Sequence, residues 1–379
     1  MTRKLPTIVI SGLSGAGKST LLNHLLASSP EHNMAVIVND EASQPMAVLP
    51  AQNLLFKQHV AGCICCTQRD DLLDQIGQLS AQARFSYLLI ESSPASDIQS
   101  VADSLVFDQD FAELDAVINV VDAQSFLRDI ESSDALADRG LNHAGAGSIA
   151  ETLIAGVEFA DVIVVNKIDL VDAATLERLL TIVRHLNRAA EIVTTQCGTV
   201  SPDLLIGRRR FDFDQTTGAA GWIRELEDDH QTSEHGVTSF VYRARRPFHA
   251  ARLLDFAEAG WPGVLRSRGH VWLASRSDLV GVWAQAGPNC ALDPGGYWLF
   301  ALPRGEWPED EETLAWVNAN WDEQFGDCRQ ELAFMGVDVN SPEIVAGLDA
   351  CLLTDEEIAL GRDAWAKLSD PFPSWDLDS

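Results

Sequence analysis

An eight-residue segment near the start of the chain, Gly12-Leu-Ser-Gly-Ala-Gly-Lys-Ser19, matches the pattern G-x-x-x-x-G-K-[ST] at every fixed position. It follows an apolar run that ends at Ser11 and precedes a helix-like run. Glycines let backbone N–H groups curl around phosphate oxygens, while a lysine reaches the β and γ phosphates and a serine hydroxyl binds Mg²⁺. The alternative is a plain glycine-rich turn. The spacing favours a nucleotide-phosphate site formed by Gly12, Gly15, Ala16, Gly17, Lys18, Ser19 and Thr20.

A second segment, Asn166-Lys-Ile-Asp169, closes another apolar strand. In phosphate-loop proteins a segment of this pattern contacts guanine. The Asp169 carboxylate can accept hydrogen bonds from guanine N1–H and the 2-amino group, which adenine does not offer. Lys167 would lie along the base and Asn166 would brace the loop. We therefore expect GTP rather than ATP.

Acidic residues lie at the ends of two further apolar strands. Glu91 ends the Tyr-Leu-Leu-Ile run and is a candidate for the Mg²⁺ region, acting through water because Mg²⁺ usually keeps several waters. Asp40 and Glu41 follow a strand that ends at Asn39, and we place them in a switch loop near Mg²⁺ or the attacking water. The candidate catalytic residues are thus Lys18, Glu91 and Asp40. The alternative for the carboxylates is a solvated strand end.

Three thiols stand within four positions in Cys63-Ile-Cys-Cys66, directly after Gly62. Zn²⁺ prefers four nitrogen or sulfur ligands in a tetrahedron, so Cys63, Cys65 and Cys66 leave at least one position for another donor. His59 is the nearest candidate in the chain. An incomplete site suits metal delivery, because an incoming protein can supply the missing ligand. Buried cysteines and a redox pair are the alternatives.

The composition limits the classes of partner. The chain has 379 residues, 46% of them apolar, with a formal charge of −29. That charge repels nucleic acid and anionic membranes, so we expect neither as a partner. The N-terminal apolar run stops at Ser11, far short of a signal core or a membrane span. A cytoplasmic protein with reduced thiols is expected.

Short apolar strands alternate with helical stretches in the first half, which predicts an α/β fold with a parallel sheet. The strands are expected at 7–11, 35–39, 87–91, 116–121 and 161–166. Residues 1–207 are assigned to this domain and 208–236 to a linker. A smaller α+β domain is predicted over 237–365, with strands at 237–243, 265–274, 279–286, 297–301 and 332–337. Its helices are placed at 248–259 and from Pro342 onward, the latter with Ser341 as N-cap.

Taken together, the phosphate loop, Gly62 to Cys66, Glu91 and Asn166 to Asp169 resemble the CobW family of GTPases. Beyond the linker, stretches such as Gly269-His-Val-Trp-Leu-Ala-Ser resemble the zinc metallochaperone branch of that family. The resemblance implies a P-loop NTPase domain, a smaller C-terminal domain, and zinc bound by the three cysteines. It also implies GTP hydrolysis coupled to metal transfer to a client apo-metalloprotein, and it leaves a homodimer open.

The sequence departs from the family pattern at two places. Family members usually continue the Glu91 motif with two small residues and a glycine, but here Glu91-Ser-Ser is followed by Pro94, which has no N–H to offer a γ-phosphate. Contact with that phosphate would pass instead through Ser92 or Ser93. In family members the switch segment usually carries a second carboxylate. In this sequence Ser43-Gln-Pro45 occupies that region.

Three functions follow from these patterns. The first is a GTP-hydrolysing zinc chaperone that works in zinc limitation. The second is a GTPase that delivers cobalt or iron to one metalloenzyme, of the nitrile hydratase activator or cobalamin-synthesis type, since thiolates tolerate all three ions. The third is a zinc or GTP sensor with little hydrolysis, which the proline at position 94 favours.

Overall fold

The structure is a computed structural model that divides into two compact units, residues 1–225 and 226–379. It describes residues 4–38, 54–58, 69–94, 96–107, 111–141, 147–211, 232–234, 236–308 and 310–375. Residues 208–211 belong to the first unit, where the main-chain N–H of Arg210 donates to the Asp115 carbonyl oxygen at 2.8 Å. The predicted linker therefore begins with residues that contact the first unit, and its stretch 212–231 lies outside the described residues.

The first unit contains a seven-stranded sheet in which every pair of neighbouring strands is parallel. Its order is β3-β2-β4-β1-β5-β6-β7. The central strands are apolar on both faces, as expected for a parallel sheet covered by helices on each side. The strands are β1 (Leu5–Ser11), β2 (Met34–Val38), β3 (Leu54–Gln58), β4 (Tyr87–Glu91), β5 (Ala112–Asp122), β6 (Val162–Asn166) and β7 (Glu191–Thr194).

Helices cover both faces of this sheet. Along β1, Val9 belongs to one buried cluster while Ile8 and Ile10 belong to the other, because successive side chains point to opposite faces. The Val9 cluster also holds residues of three helices, and the Ile8 cluster holds residues of the helix after the glycine-rich loop. The helices are α1 (Lys18–Ser28), α2 (Arg69–Ala81), α3 (Ile98–Phe107), α4 (Phe126–Asp129), α5 (Ile149–Phe159) and α6 (Ala173–Leu186).

The predicted α/β fold is confirmed, and the five predicted strands correspond to β1, β2, β4, β5 and β6. Two strands of the first unit escaped the sequence analysis, and both stand at the edges of its sheet. β3 ends in Lys57-Gln58, and β7 has only four residues. An edge strand has a single neighbour and needs less apolar surface, so its sequence carries a weaker signal.

The second unit contains a six-stranded sheet whose neighbouring strands are all antiparallel, in the order β12-β11-β10-β13-β9-β8. The strands are β8 (Thr232–Glu234), β9 (Val237–Ala244), β10 (Val264–Val271), β11 (Leu279–Ala286), β12 (Asn289–Tyr297) and β13 (Gln330–Val337). The helices are α7 (Ala250–Glu258), α8 (Glu311–Ala319), α9 (Ser341–Cys351), α10 (Asp355–Ala359) and α11 (Arg362–Trp365). Leu253 of α7 and Leu348 of α9 join the core formed by Phe240 and Phe334 of the sheet. The predicted α+β architecture is confirmed.

Two details of the second unit correct the sequence analysis. The strand predicted at 297–301 is wrong, because β12 ends at Tyr297 and a short 3-10 helix covers Leu299–Ala301. β12 carries Pro294, which an edge strand tolerates since it pairs on one side only. The N-cap position of α9 belongs to Asn340 instead of Ser341, which is buried as the first helical residue.

Candidate nucleotide site

The glycine-rich loop joins the carboxyl end of β1 to α1. Its glycines have φ values of 134° at Gly12, 79° at Gly15 and 109° at Gly17, a region that side chains other than glycine rarely adopt. A Cβ atom on Gly12 would meet the Val120 carbonyl oxygen, and one on Gly17 would meet the Asn166 amide. The loop therefore closes against its neighbours as a backbone cradle, and this shape fits a phosphate chain at the start of a helix.

Lys18 is the first residue of α1, and its side chain lies inside the loop. It is only 3% exposed. Its Nζ donates to the carbonyl oxygens of Gly12 at 2.9 Å and Leu13 at 3.3 Å. The loop carbonyls thus hold the ammonium group at the cradle, where it can offer positive charge to phosphate oxygens.

Ser19 and Glu91 meet beside the loop. The Ser19 hydroxyl donates to Glu91 Oε1 at 2.8 Å, and the Glu91 side chain is 1% exposed. The parallel register sets Glu91 beside Ile10 of β1, so the end of β4 lies next to the loop. Mg²⁺ prefers oxygen ligands, and this hydroxyl and carboxylate offer two of them close together. Asp40, the third candidate catalytic residue, lies outside the described residues.

Asn166 ties the second motif to the first. Its Nδ2 donates to the Ala16 carbonyl at 2.9 Å, and its Oδ1 accepts from the Gly198 N–H at 3.0 Å. The side chain is 2% exposed. One buried amide thereby joins the phosphate loop, the end of β6 and the loop that follows β7. Asp169 stands in the next turn, Ile168–Leu170, with its side chain exposed.

Asp122, at the end of β5, is a site residue that the sequence analysis missed. The Lys167 ammonium lies 2.6 Å from its Oδ2, and Lys167 has a left-handed backbone with φ of 62°. The register places Asp122 beside Asn166, which explains why the two meet. Its position after the apolar run 116–121 was a signal that could have identified it. The pair fixes the lysine that is expected to lie along a nucleotide base.

The segment after Glu91 contains the two serines considered as substitutes for the missing glycine. The structure places these two serines in different surroundings. Ser92 is buried, and both its N–H and its hydroxyl donate to the Ile10 carbonyl, at 3.0 and 3.4 Å. Ser93 begins a turn through Pro94 in which the Ser96 N–H donates to the Ser93 carbonyl at 3.0 Å. Ser93 and Pro94 line a cavity of about 270 Å³ together with Gly12. The geometry therefore favours Ser93 over Ser92 as a contact near the phosphate loop.

The thiolate motif is outside the part of the chain that the structure describes, as are Cys63, Cys65, Cys66 and His59 individually. Within the described ranges, no group of three or more His, Cys, Asp or Glu side chains is placed to hold a metal ion. Burial raises the pKa of the Cys328 thiol to about 12, and the pKa of Cys351 to about 11. These two cysteines are therefore neutral thiols at physiological pH. Among the same described residues, no helix is long and apolar enough to cross a membrane.

A parallel sheet with a phosphate loop at the end of its first strand, a serine–glutamate pair and an Asn-Lys-x-Asp turn defines a P-loop nucleoside triphosphatase. Comparison with protein families places the chain further. Residues 6–194 match the model described as "CobW/HypB/UreG, nucleotide-binding domain", and residues 237–352 match "Cobalamin synthesis protein cobW C-terminal domain". The chain belongs to the CobW family, and it is a GTPase.

Two relatives agree with this assignment by sequence, and one solved structure is reported beside them. The chain is 35% identical to "Zinc-regulated GTPase metalloprotein activator 1" of Dictyostelium discoideum, over 97% of this chain and 84% of the relative. It is 28% identical to "Zinc chaperone Rv0106" of Mycobacterium tuberculosis, over 84% of this chain and 79% of the relative. The solved structure of the Zn(II)-bound YjiA GTPase from E. coli aligns with 93% of this chain and 100% of its own, at 17% identity and a TM-score of 0.42.

Proposed function

We propose that this GTPase is a metallochaperone, which binds zinc through Cys63, Cys65 and Cys66 and transfers it to client apo-metalloproteins when zinc is limiting. The observation that carries the nucleotide half is the Ser19–Glu91 hydrogen bond of 2.8 Å beside a glycine cradle. The metal half is supported by the names of the two relatives, a zinc-regulated metalloprotein activator and a zinc chaperone.

The phosphate residues have separate tasks in this proposal. The cradle of Gly12, Gly15 and Gly17 holds the phosphates through backbone N–H groups, and Lys18 supplies positive charge to them. Ser19 and Glu91 hold Mg²⁺, Glu91 through water, and Mg²⁺ when bound would neutralise charge on the phosphate oxygens. Asp40 belongs to the switch segment. Asp169 selects guanine, and the Asn166 amide keeps the guanine turn attached to the phosphate loop.

Zinc is the cargo of this reaction. Three thiolates bind it tightly but leave a coordination position for a ligand from the client. Metal binding requires deprotonated cysteines, so zinc uptake releases protons and strengthens as the pH rises. GTP binding and hydrolysis would change the conformation of the segment between β2 and α2. This segment carries both the switch residues and the cysteines. A ligand exchange of this kind needs a client that brings its own donors.

A zinc competition titration of the full-length protein tests the metal half of the proposal. We expect one tightly bound zinc per chain, lost when Cys63, Cys65 and Cys66 are all replaced by Ser. The matched control replaces Cys197 and Cys290, which are free and exposed, by Ser and should leave the zinc in place. Equal zinc binding by the triple variant and the parent would refute the thiolate assignment.

Two alternative functions predict different experimental results. A cobalt or iron delivery protein would prefer Co²⁺ or Fe²⁺ over Zn²⁺ in that competition, against the usual order of affinity. A sensor is favoured by one observation, the buried Pro94 that offers no N–H beside the phosphate loop. Phosphate release measured with and without zinc distinguishes it, because a sensor would show turnover near zero in both conditions.

A further inference from the structure

A buried asparagine that no sequence motif marks lies beside the entry to the phosphate loop. Asn119 belongs to β5, and the parallel register sets it opposite Ser11, the last residue of β1. Its Nδ2 donates to the Ser11 hydroxyl at 2.9 Å, and that hydroxyl donates to the Ile118 carbonyl at 3.2 Å. Asn119 and Ser11 are 4% and 5% exposed. The amide therefore holds, out of water, the residue that directly precedes the phosphate loop.

The first residue of the loop rests on the same strand, β5. A Cβ atom on Gly12 would lie 2.4 Å from the Val120 carbonyl oxygen, so backbone packs directly on backbone at this point. A small shift of Ser11 would change how the loop lies on β5. Because the Lys18 Nζ donates to the Gly12 carbonyl at 2.9 Å, the same shift would also displace the lysine ammonium.

Two locally unfavourable features meet at Asn119. Its Oδ1 is buried and has no hydrogen-bond partner among the residues that the structure describes, so this oxygen loses its hydration without compensation. Gly156, in the interior of α5, packs on the same amide, since a Cβ atom there would lie 2.5 Å from Nδ2. A glycine inside a helix is less stable than an alanine. An apolar side chain at position 119 would avoid the first cost, so stability alone does not explain the asparagine.

Asn119 also borders the space beside the phosphate loop. It lines the cavity of about 270 Å³ together with Ser11, Gly12, Ser93 and Pro94. The asparagine therefore stands between the start of the loop and the segment that follows β4. Any displacement of its amide would be felt by the part of the loop that faces the phosphates.

We propose that Asn119 is a positioning residue for the phosphate loop, which it orients through Ser11 at a cost in stability. Local rules of packing and polar pairing are broken most often at functional sites, where another requirement outweighs stability. The amide fixes the Ser11 hydroxyl, and Ser11 fixes the start of the loop that presents N–H groups and Lys18 to the phosphates. Removing the amide should therefore weaken phosphate binding without weakening the fold.

Nucleotide affinity and stability, measured on the same full-length variants, test this role. Asn119→Leu keeps a side chain of similar shape but removes both amide groups. Its affinity for a fluorescent GTP analogue should fall about five-fold, the size of one lost hydrogen bond. Its urea unfolding midpoint should equal or exceed that of the parent, because the unpaired oxygen is gone. The preference for GTP over inosine triphosphate should stay unchanged, since the guanine turn is intact.

Ser11→Ala tests the route through the hydroxyl. It removes the acceptor of the amide and should cause a similar loss of GTP affinity. The double variant should bind GTP no more weakly than Asn119→Leu alone, because both changes break one contact. Losses that multiply in the double variant would overturn the route through Ser11. If Asn119→Leu did not fold, Ser11→Ala alone would decide: a loss of about five-fold supports the proposal, and the parent affinity overturns it.

Asn187 supplies the matched control, a buried asparagine of the same unit whose amide caps the end of α5. It is 8% exposed, and its Nδ2 donates to the carbonyl oxygens of Val157 at 2.8 Å, Glu158 at 3.1 Å and Ala160 at 2.9 Å. Asn187→Leu should lower the unfolding midpoint and leave the GTP affinity of the folded protein unchanged. Equal GTP affinities of Asn119→Leu and the parent would overturn the proposal. A fall of the midpoint in Asn119→Leu as large as that in Asn187→Leu would also overturn it, because the amide would then serve the fold.

Discussion

The Ser19 hydroxyl and the Glu91 carboxylate are joined by a hydrogen bond of 2.8 Å although 72 positions separate them in the chain. Ser19 belongs to the first turn of α1, and Glu91 ends the neighbouring strand β4. The pair places two hard oxygen atoms beside the phosphate cradle, where we propose that they hold Mg²⁺. It links the residue that closes the phosphate motif to the acidic residue that the family's second motif supplies.

Glu91→Gln should slow GTP hydrolysis by about 100-fold, which corresponds to about 2.7 kcal/mol of transition-state stabilisation. The substitution keeps an oxygen for the Ser19 hydroxyl but removes the negative charge that attracts Mg²⁺. The rate is measured as single-turnover phosphate release at saturating GTP over a range of Mg²⁺ concentrations. Glu113→Gln, an exposed carboxylate of β5, is the matched control and should keep the parent rate. A rate within two-fold of the parent for Glu91→Gln would exclude the carboxylate from the reaction.

Asp169→Asn should reduce GTP affinity about 100-fold, because two hydrogen bonds to a charged acceptor are weakened. The new amide can donate to the 2-carbonyl of xanthine, so the variant should bind xanthosine triphosphate more tightly than the parent does. Isothermal titration calorimetry with both nucleotides measures this change in nucleotide preference. The control is Asp172→Asn, three residues later, where the side chain caps α6 by accepting from the Thr175 N–H at 2.7 Å. If both variants lose GTP equally, the guanine assignment of Asp169 is wrong.

Glu331 should make the second unit sensitive to acid. Burial opposes its charge, yet hydrogen bonds and ion pairs with Arg329 at 2.9 Å and Arg243 at 3.1 Å hold the pKa of this carboxyl below its ordinary 4.5. A lowered folded-state pKa gives stability that is present above pH 4.5 and lost as the pH falls through the folded value. The carboxylate is partly exposed, so we expect Glu331→Gln to cost only about 1 kcal/mol at neutral pH.

Urea unfolding between neutral and acidic pH measures this effect. The free energies of unfolding of the parent and Glu331→Gln should converge in acid, because the parent carboxylate becomes protonated there. Glu258→Gln, an exposed residue at the end of α7, should follow the parent at every pH. A constant difference between parent and Glu331→Gln across the range would mean that packing, and not charge, explains the loss.

The sequence by itself determined the class of fold, the two nucleotide motifs and most of the strands around them. Gly12 to Ser19 and Asn166 to Asp169 are local patterns whose chemistry depends on neighbours in the chain. Central strands such as β4 are predictable because both of their faces are buried, so the residues before the polar strand end form a continuous apolar run. The edge strands β3 and β12 carry a weaker apolar signal in the sequence. The first was therefore missed and the second was misplaced.

Only the tertiary structure decided which distant residues meet. The parallel register brings Asp122 beside Asn166, and so within reach of Lys167, and no local pattern specifies that pairing. The adjacency of β1 and β4 directs the Ser92 N–H and hydroxyl to the Ile10 carbonyl, leaving Ser93 beside the phosphate loop. Side-chain periodicity is set residue by residue, whereas strand order and register are set by the packing of the whole sheet. The sequence therefore indicates the chemistry of this site, and the fold determines which of its residues contact one another.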